Sequence, residues 1–378
     1  MRGDHSKPDQ LVLQRGTTRS SKAVLALMTL QWMDDMRRQI GAALDVIGLG
    51  PQEHPWRTAA ELLGARLRAY DGQCDASGPI ILIIPAPFKR AYIWDLLPCV
   101  SVVRHCLRRG ASVYLLEWLP PTKAQDGLGL AEYGCQLPST AIDVIKSETG
   151  VSTPILAGHS LGGTLAAIFA TLFSERVGGL VLLDAPLAFG VHGGPLARAV
   201  KRAPHARYVR YLIGSPVPGS AINALSAAAA PEVFHAQRQA DLIASVLDPT
   251  AFAIHARVER WSLDELPLPG QLFEDLFEQL YREDNLLGGR LVLGRRRTGI
   301  ARLKCPVIAI VNPAGGIVPP ASVLAGLAAA PDCSATVLTY RGAPGPMLQH
   351  LGPLVTPEAH HRLWPKVLKW VDRIWAQS

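Results

Sequence analysis

Over most of the chain, short continuous apolar runs alternate with stretches in which apolar residues recur every three or four positions. "PIILIIPAP" (79–87), "ASVYLLEW" (111–118), "TPILAGHS" (153–160) and "GGLVLLDAP" (178–186) are runs of the first kind, and "CPVIAIVNP" (305–313) and "SATVLTY" (334–340) continue the series. Such runs predict strands buried on both faces, and the helical spacing at 92–109 and 130–149 predicts the helices that cover them. Residues 187–302 break this rhythm: they are largely helical in spacing and include "DELPLPGQLFEDLFEQLYRED" (264–284). A block placed between the sixth and seventh strand of a parallel sheet reads as a cap over the strands' carboxyl edge, where ligands bind in open α/β folds. A last helix is predicted over 357–376. Upstream, helical spacing over 23–47 and 55–70 predicts an N-terminal helical segment (23–77). Residues 1–22, polar, basic and aperiodic, read as a disordered arm.

Composition narrows the class. With 378 residues and 48% hydrophobic content the chain can bury one large core with an insertion. Its longest early apolar run, "AVLALMTL" (23–30), is far short of a membrane span and lacks a cleavage site after it, so the expected location is the cytoplasm. The six cysteines show no metal-ligand spacing and read as reduced; Cys99 and Cys106, seven apart on a predicted helix, read as packing residues. A net charge of +7 suggests an anionic partner. Two basic clusters carry much of it, Arg198–Arg210 and Arg290–Lys304. Only Tyr208 interrupts the first and no aromatic the second, and neither carries a recognisable binding motif, which argues against nucleic acid.

Candidate chemistry begins at "ILAGHSLGGTLAAIFA" (155–170), where Gly158-His159-Ser160-Leu161-Gly162 satisfies G-x-S-x-G between a predicted strand and a predicted helix. In that context the serine sits on a sharp turn, with small residues at 158 and 162 because side chains there would strike neighbouring backbone. Ser160 is the expected nucleophile and the Leu161 N–H an oxyanion donor. A second donor should come from the loop after "ILIIP", at Ala86, Phe88 or Lys89, with Phe88 preferred. His159, in the motif's variable position, is expected to be structural and to point away. The base should follow the last strand, and His350 in "GAPGPMLQHLGP" fits; His360 and His361 fall in the last helix and read as surface or cap residues. For the acid, the turn after the penultimate strand offers only Asn312, Gly315 and Gly316 in "VNPAGGIVPP". Asp184, ending the preceding strand on the same edge as Ser160, is the preferred acid; Asn312 and no dedicated acid are the alternatives.

Several blocks in order resemble the polyhydroxyalkanoate synthases, a branch of the α/β-hydrolase superfamily: "PAPFKRAYIWDLLPCVSVVRHCLRRGASVYLLEW" (85–118), "GQLFEDLFEQLYREDNLLGGRLVLG" (270–294) and "LQHLGPLVTPEAHHRLWPKVLKW" (348–370). The resemblance implies an α/β-hydrolase fold over 78–378, a mostly parallel sheet flanked by helices with a helical cap after the sixth strand. It departs from those synthases twice. They carry cysteine where this chain has Ser160, and a catalytic aspartate where it has Gly315 and Gly316.

The expected activity is therefore serine-dependent acyl transfer on hydroxyacyl esters or thioesters, either as a synthase-like acyltransferase or as a related esterase or depolymerase. A serine acyl-enzyme is an oxyester, a poorer acyl donor than the thioester a cysteine forms, which favours hydrolysis over chain growth. No metal or separate cofactor is expected. Coenzyme A enters only as part of an acyl-CoA substrate, its phosphates suited to Arg295–Arg297. The resemblance also implies a homo-oligomer or a second subunit. The rival reading is a catalytically weak, granule-associated or scaffolding relative, which the empty acid position favours.

Overall fold

Eight strands form one sheet: β1 (Trp56–Leu62), β2 (Ala65–Tyr70), β3 (Ile80–Ile84), β4 (Ser112–Trp118), β5 (Ile155–His159), β6 (Gly179–Leu183), β7 (Val307–Val311) and β8 (Ala335–Thr339). Their spatial order is β1-β2-β4-β3-β5-β6-β7-β8, antiparallel through β1, β2 and β4 and parallel from β4 onward. The computed structural model describes residues 9–70, 78–232, 238–342 and 350–377.

The continuous apolar runs are explained by what covers them. Along β3, Leu82 and Ile84 enter the core shared with α3 (Leu137–Thr149) and α4 (Leu161–Leu172), while Ile81 and Ile83 enter the opposite core with α2 (Val102–Leu107) and α13 (Trp364–Trp375). With both faces buried, alternation has no polar side to show. Helix α4 runs under the sheet, and eleven of its twelve residues are buried, which accounts for "LGGTLAAIFAT" being apolar all round.

Three expectations need correction. The helix predicted over 55–70 is the hairpin β1–β2, paired from Trp56↔Tyr70 to Leu62↔Ala65 and turned at Leu63-Gly64, where Gly64 has φ +76°. That left-handed turn residue and the pairing of Arg68 with Glu117 on β4, through two bonds of 2.8 and 2.6 Å, override the helical spacing. Within 92–109 only Val102–Leu107 is α-helix, so Cys106 is buried on it while Cys99 lies outside it, exposed. The first helix, α1, spans Asp9–Val46 and takes in residues 9–22 of the expected arm; residues 1–8 lie outside the described residues.

Among the described residues, the insertion between β6 and β7 holds six α-helices, α5 (Gly194–Arg202), α6 (Ala206–Ile213), α7 (Gly219–Ala229), α8 (Arg238–Ser245), α9 (Pro249–Ser262) and α10 (Gly270–Asp275). It ends in a two-stranded ribbon, Leu291–Leu293 with Arg296–Thr298. Helix α1 is tied to this cap by charge. Asp34 accepts the backbone N–H groups of Gly219 and Ser220 at the start of α7, Arg260 on α9 grips Asp45 through two 2.7 Å bonds, and Arg37 pairs with buried Glu265 at 2.8 Å. Helices α11 (Pro320–Ala328) and α12 (Gly352–Val355) complete the fold.

Candidate active site

Strand β5 ends at His159 and α4 starts at Leu161, leaving Ser160 alone at the turn with φ +53° and ψ −133°. A non-glycine residue there costs on the order of 1–3 kcal/mol and persists only when its surroundings fix it. They do so here: Ser160 N–H donates to Leu183 O on β6 at 3.0 Å and Ser160 O accepts from Thr164 N–H at 3.2 Å. The glycines are demanded by close approach. A Cβ at 158 would lie 2.4 Å from Gly163 N, and one at 162 would lie 2.2 Å from Ile84 O and 2.9 Å from Ala86 N. The second figure places the loop after β3 against the elbow at Ala86. That loop is held by Trp118, whose indole N–H donates to Pro85 O at 2.9 Å. Ala86, Phe88, Ser160, Leu161, His159 and His350 all line one cavity of ≈ 200 Å³. Of the three residues expected to supply the second oxyanion donor, Ala86 has the backbone nitrogen that abuts the elbow.

His350 and Ser160 share that cavity, although no hydrogen bond joins them in this state. The His350 ring packs on that of His159, with centroids 4.4 Å apart, and His159 Nε2 lies 2.7 Å from His350 O. A carbonyl only accepts, so the proton is on Nε2 of His159 and that ring donates. Burial pushes the His159 pKa down to about 4 and holds His350 well below the usual histidine range, with His159 adding to the depression. Both rings are neutral at pH 7. His159 therefore faces the cavity and pins the histidine loop, where the sequence reading turned it away; the aromatic nitrogen beside the serine was the available signal. His360, expected at the surface, is buried, and its ring nitrogen Nε2 donates to Leu354 O at 2.8 Å.

Asp184 ends β6 with φ +41° and is buried. Its Oδ1 accepts the Asn312 N–H at 2.8 Å from the end of β7, and its Oδ2 has no hydrogen-bond partner. Burial raises its carboxyl to about 7 against the Asn312 N–H, which lowers it. Among the described residues, no hydrogen bond or ion pair joins Asp184 to the His350 ring. Asn312 turns inward as well: its Oδ1 accepts from Ala314 N–H at 2.9 Å, closing its own turn. In that turn a Cβ at Gly315 would sit 2.4 Å from Val318 O, so no aspartate fits at 315 without rebuilding it. Ile317 and Val318 face the cavity beyond it. Among the described residues, no carboxylate bonds to His350.

The raised Asp184 carboxyl predicts a stability effect with a definite sign. Its folded value of about 7 lies above the ordinary 3.8, so the native state keeps a proton that the unfolded chain has lost between those pH values. Stability on this account falls as pH rises through that window, and the cost is complete above pH 7. Asp184→Asn should raise Tm by several degrees at pH 8 and by less than half as much at pH 5, where only the lower part of the window has been crossed; calorimetry at the two pH values checks it, and equal shifts at both would contradict it.

The basic cluster expected to bind phosphates lies elsewhere. Arg296 stacks over Phe173, 4.7 Å from the ring centroid, and Thr298 Oγ1 bonds to Thr171 Oγ1 at 2.9 Å, both at the C-terminal end of α4. Ser160 is at the other end, ~18 Å away along twelve helical residues. The cations that line the cavity are Lys89 and Arg90. Lys89 is neutralised by Glu265 and lies over Trp261. The Arg90 guanidinium has no ion-pair partner among the described residues, and its backbone carbonyl is fixed by the Trp261 indole N–H at 2.8 Å. No cluster able to hold a metal ion occurs among the described residues, nor does a helix long and apolar enough to cross a membrane.

The sheet order, the elbow and the cap define an α/β-hydrolase-fold protein, and the family model for the α/β hydrolase fold matches residues 79–202. A solved structure of a membrane phospholipase A, a bacterial virulence factor, superposes on 96% of this chain and 99% of its own with a TM-score of 0.50 at 14% identity, a likeness of fold alone. Within that fold the chain is polyhydroxyalkanoate synthase-like. It is 28% identical over 307 residues to the poly(3-hydroxyalkanoate) polymerase subunit PhaC of Haloferax mediterranei, covering 81% of this chain and 61% of that one. It is 24% identical over 352 residues to PhaC of Allochromatium vinosum, covering 90% and 96%. The chain spans about three fifths of the length of the Haloferax relative.

Proposed function

We propose that Ser160 takes an acyl group from a hydroxyacyl ester or thioester and that His350 moves the proton. The observation that carries this reading is the strained Ser160 turn opening on the same cavity as a neutral, half-buried imidazole. In the sequence of events, a rotation of His350 about its pinned carbonyl brings a ring nitrogen to Ser160 Oγ and takes its proton as Oγ attacks the acyl carbonyl. The oxyanion is received by the Leu161 N–H and an N–H of the 86–88 loop, assisted by the positive end of α4. Collapse expels the thiol or alcohol with the proton from His350 and leaves an oxyester on Ser160. Water or a hydroxyl group then completes the transfer.

With an oxyester intermediate, hydrolysis outruns chain growth. A thiol leaving group that carries phosphates, such as coenzyme A, would meet Arg90 on the cavity wall, in a cytoplasmic enzyme that uses no metal. Release of thiol from 3-hydroxybutyryl-CoA, measured beside hydrolysis of a nitrophenyl ester, tests the reading: the ester should turn over faster, without polymer. Polymer as the main product would reverse the assigned direction. The absence of any carboxylate bonded to His350 among the described residues favours a second reading, a weak catalyst acting as a scaffold, and a fluorophosphonate that fails to label Ser160 would support it.

A further inference from the structure

A second cavity of ≈ 240 Å³ lies inside the cap, between α5, α7 and α10. Of its sixteen wall residues, only Ser226 and Tyr281 carry polar side-chain atoms. Six of the sixteen, Phe88, Leu161, Leu196, Ile222, Ser226 and Tyr281, also line the cavity that holds Ser160. The two cavities therefore adjoin along these six residues, the second lying as an apolar arm beside the first. Leu161 and Phe88 flank the place where a carbonyl on Ser160 would sit, and they also form the start of the apolar arm. Tyr281 stands at the junction, its ring edge-on to Phe189 at 4.9 Å, which fixes its plane.

From this geometry we infer that the apolar arm binds the aliphatic chain of the acyl group, and that the enzyme acts on medium-chain acyl substrates. The inference rests on the reading of Ser160 above. An apolar cavity of about 150 Å³ takes up benzene, so this arm accommodates roughly eight to ten carbons. A four-carbon acyl group would leave it unfilled, without the gain from burying methylene groups. The walls far from the serine, Ala199 and Val200 on α5 and Leu276 beyond α10, belong to the second cavity alone. Bulk added at Ala199 shortens the arm without touching the catalytic space.

The test is a series of nitrophenyl esters from acetate to dodecanoate on the whole protein and on Ala199→Phe. In the parent, kcat/KM should climb about threefold to fourfold per methylene up to the octanoate or decanoate. In Ala199→Phe the octanoate should lose at least tenfold, with the acetate within twofold and Tm unchanged. A profile peaking at acetate or butyrate and indifferent to the substitution would overturn the inference. Binding of decanoate to Ser160→Ala, followed by calorimetry with and without Ala199→Phe, separates this claim from the one about the serine. If no ester is hydrolysed but decanoate binds and Ala199→Phe displaces it, the arm stands and the nucleophile falls; if esters turn over but decanoate does not bind, the arm falls alone. Should Ala199→Phe fail to fold, Val200→Ala, which deepens the arm, must move the optimum to a longer chain.

Discussion

Replacing Ser160 by alanine is expected to abolish fluorophosphonate labelling and to lower kcat toward a nitrophenyl ester by about 10⁶-fold, the scale seen when the nucleophile of a serine hydrolase is removed. Alanine has the same difficulty as serine with φ +53°, so the turn keeps its cost and Tm should barely move. Activity persisting in the variant would place the chemistry elsewhere. Ser160→Cys should act in the opposite sense. Its acyl-enzyme is a thioester, a stronger acyl donor, and the thiol ionises more readily than the hydroxyl. The ratio of transfer to hydrolysis, measured with 3-hydroxybutyryl-CoA and an added hydroxyacyl acceptor, should rise relative to the parent. On the proposed reading, the serine decides what the acyl group does next and the cavity decides which acyl group arrives.

Most of the sheet was legible because parallel strands buried on both faces have a plain signature: Ile80–Ile84 and Val307–Val311 contain no polar residue. The hairpin β1–β2 was not, because "WRTAAELLGARLRAY" places apolar residues at spacings a helix also satisfies. Its deciding feature is a cross-strand charge pair, Arg68 with Glu117, forty-nine residues apart in sequence. The same limit applies to the site. Ser160 and its glycines announce themselves, since the elbow is a local device, and His350 follows from chain order. What Asp184 touches depends on which strand ends lie side by side, and β6 lies beside β7 only because the cap between them is an insertion. Likewise Arg295–Arg297 read as a ligand surface by charge alone. Their place at the far end of α4 is a tertiary fact, as is the placement of Arg90 on the cavity wall.

His350→Ala should cost about 10⁶-fold in kcat, close to the loss from removing the serine, while the pH profile of the parent tests the reason the imidazole works. A general base acts in its neutral form, and the half-buried His350 is neutral well below the ordinary 6.5, so its own titration should not appear near neutrality. The acid limb has another origin. His159 and His360 each have a folded value of about 4 against an ordinary 6.5, so between those pH values the unfolded chain takes up protons that the native state refuses. Each costs on the order of 3 kcal/mol by pH 4, and Asp184, which keeps a proton in the native state over the same window, offsets about one of them and leaves the other. The net uptake still favours the unfolded chain, and 3 kcal/mol is a large share of a typical folding free energy. Activity is therefore expected to stay level from pH 8 to below 6 and then to fall together with the near-ultraviolet dichroism. An activity loss centred near 6.5 with the dichroism intact would mean that the base is an exposed histidine, and would remove His350 from the mechanism.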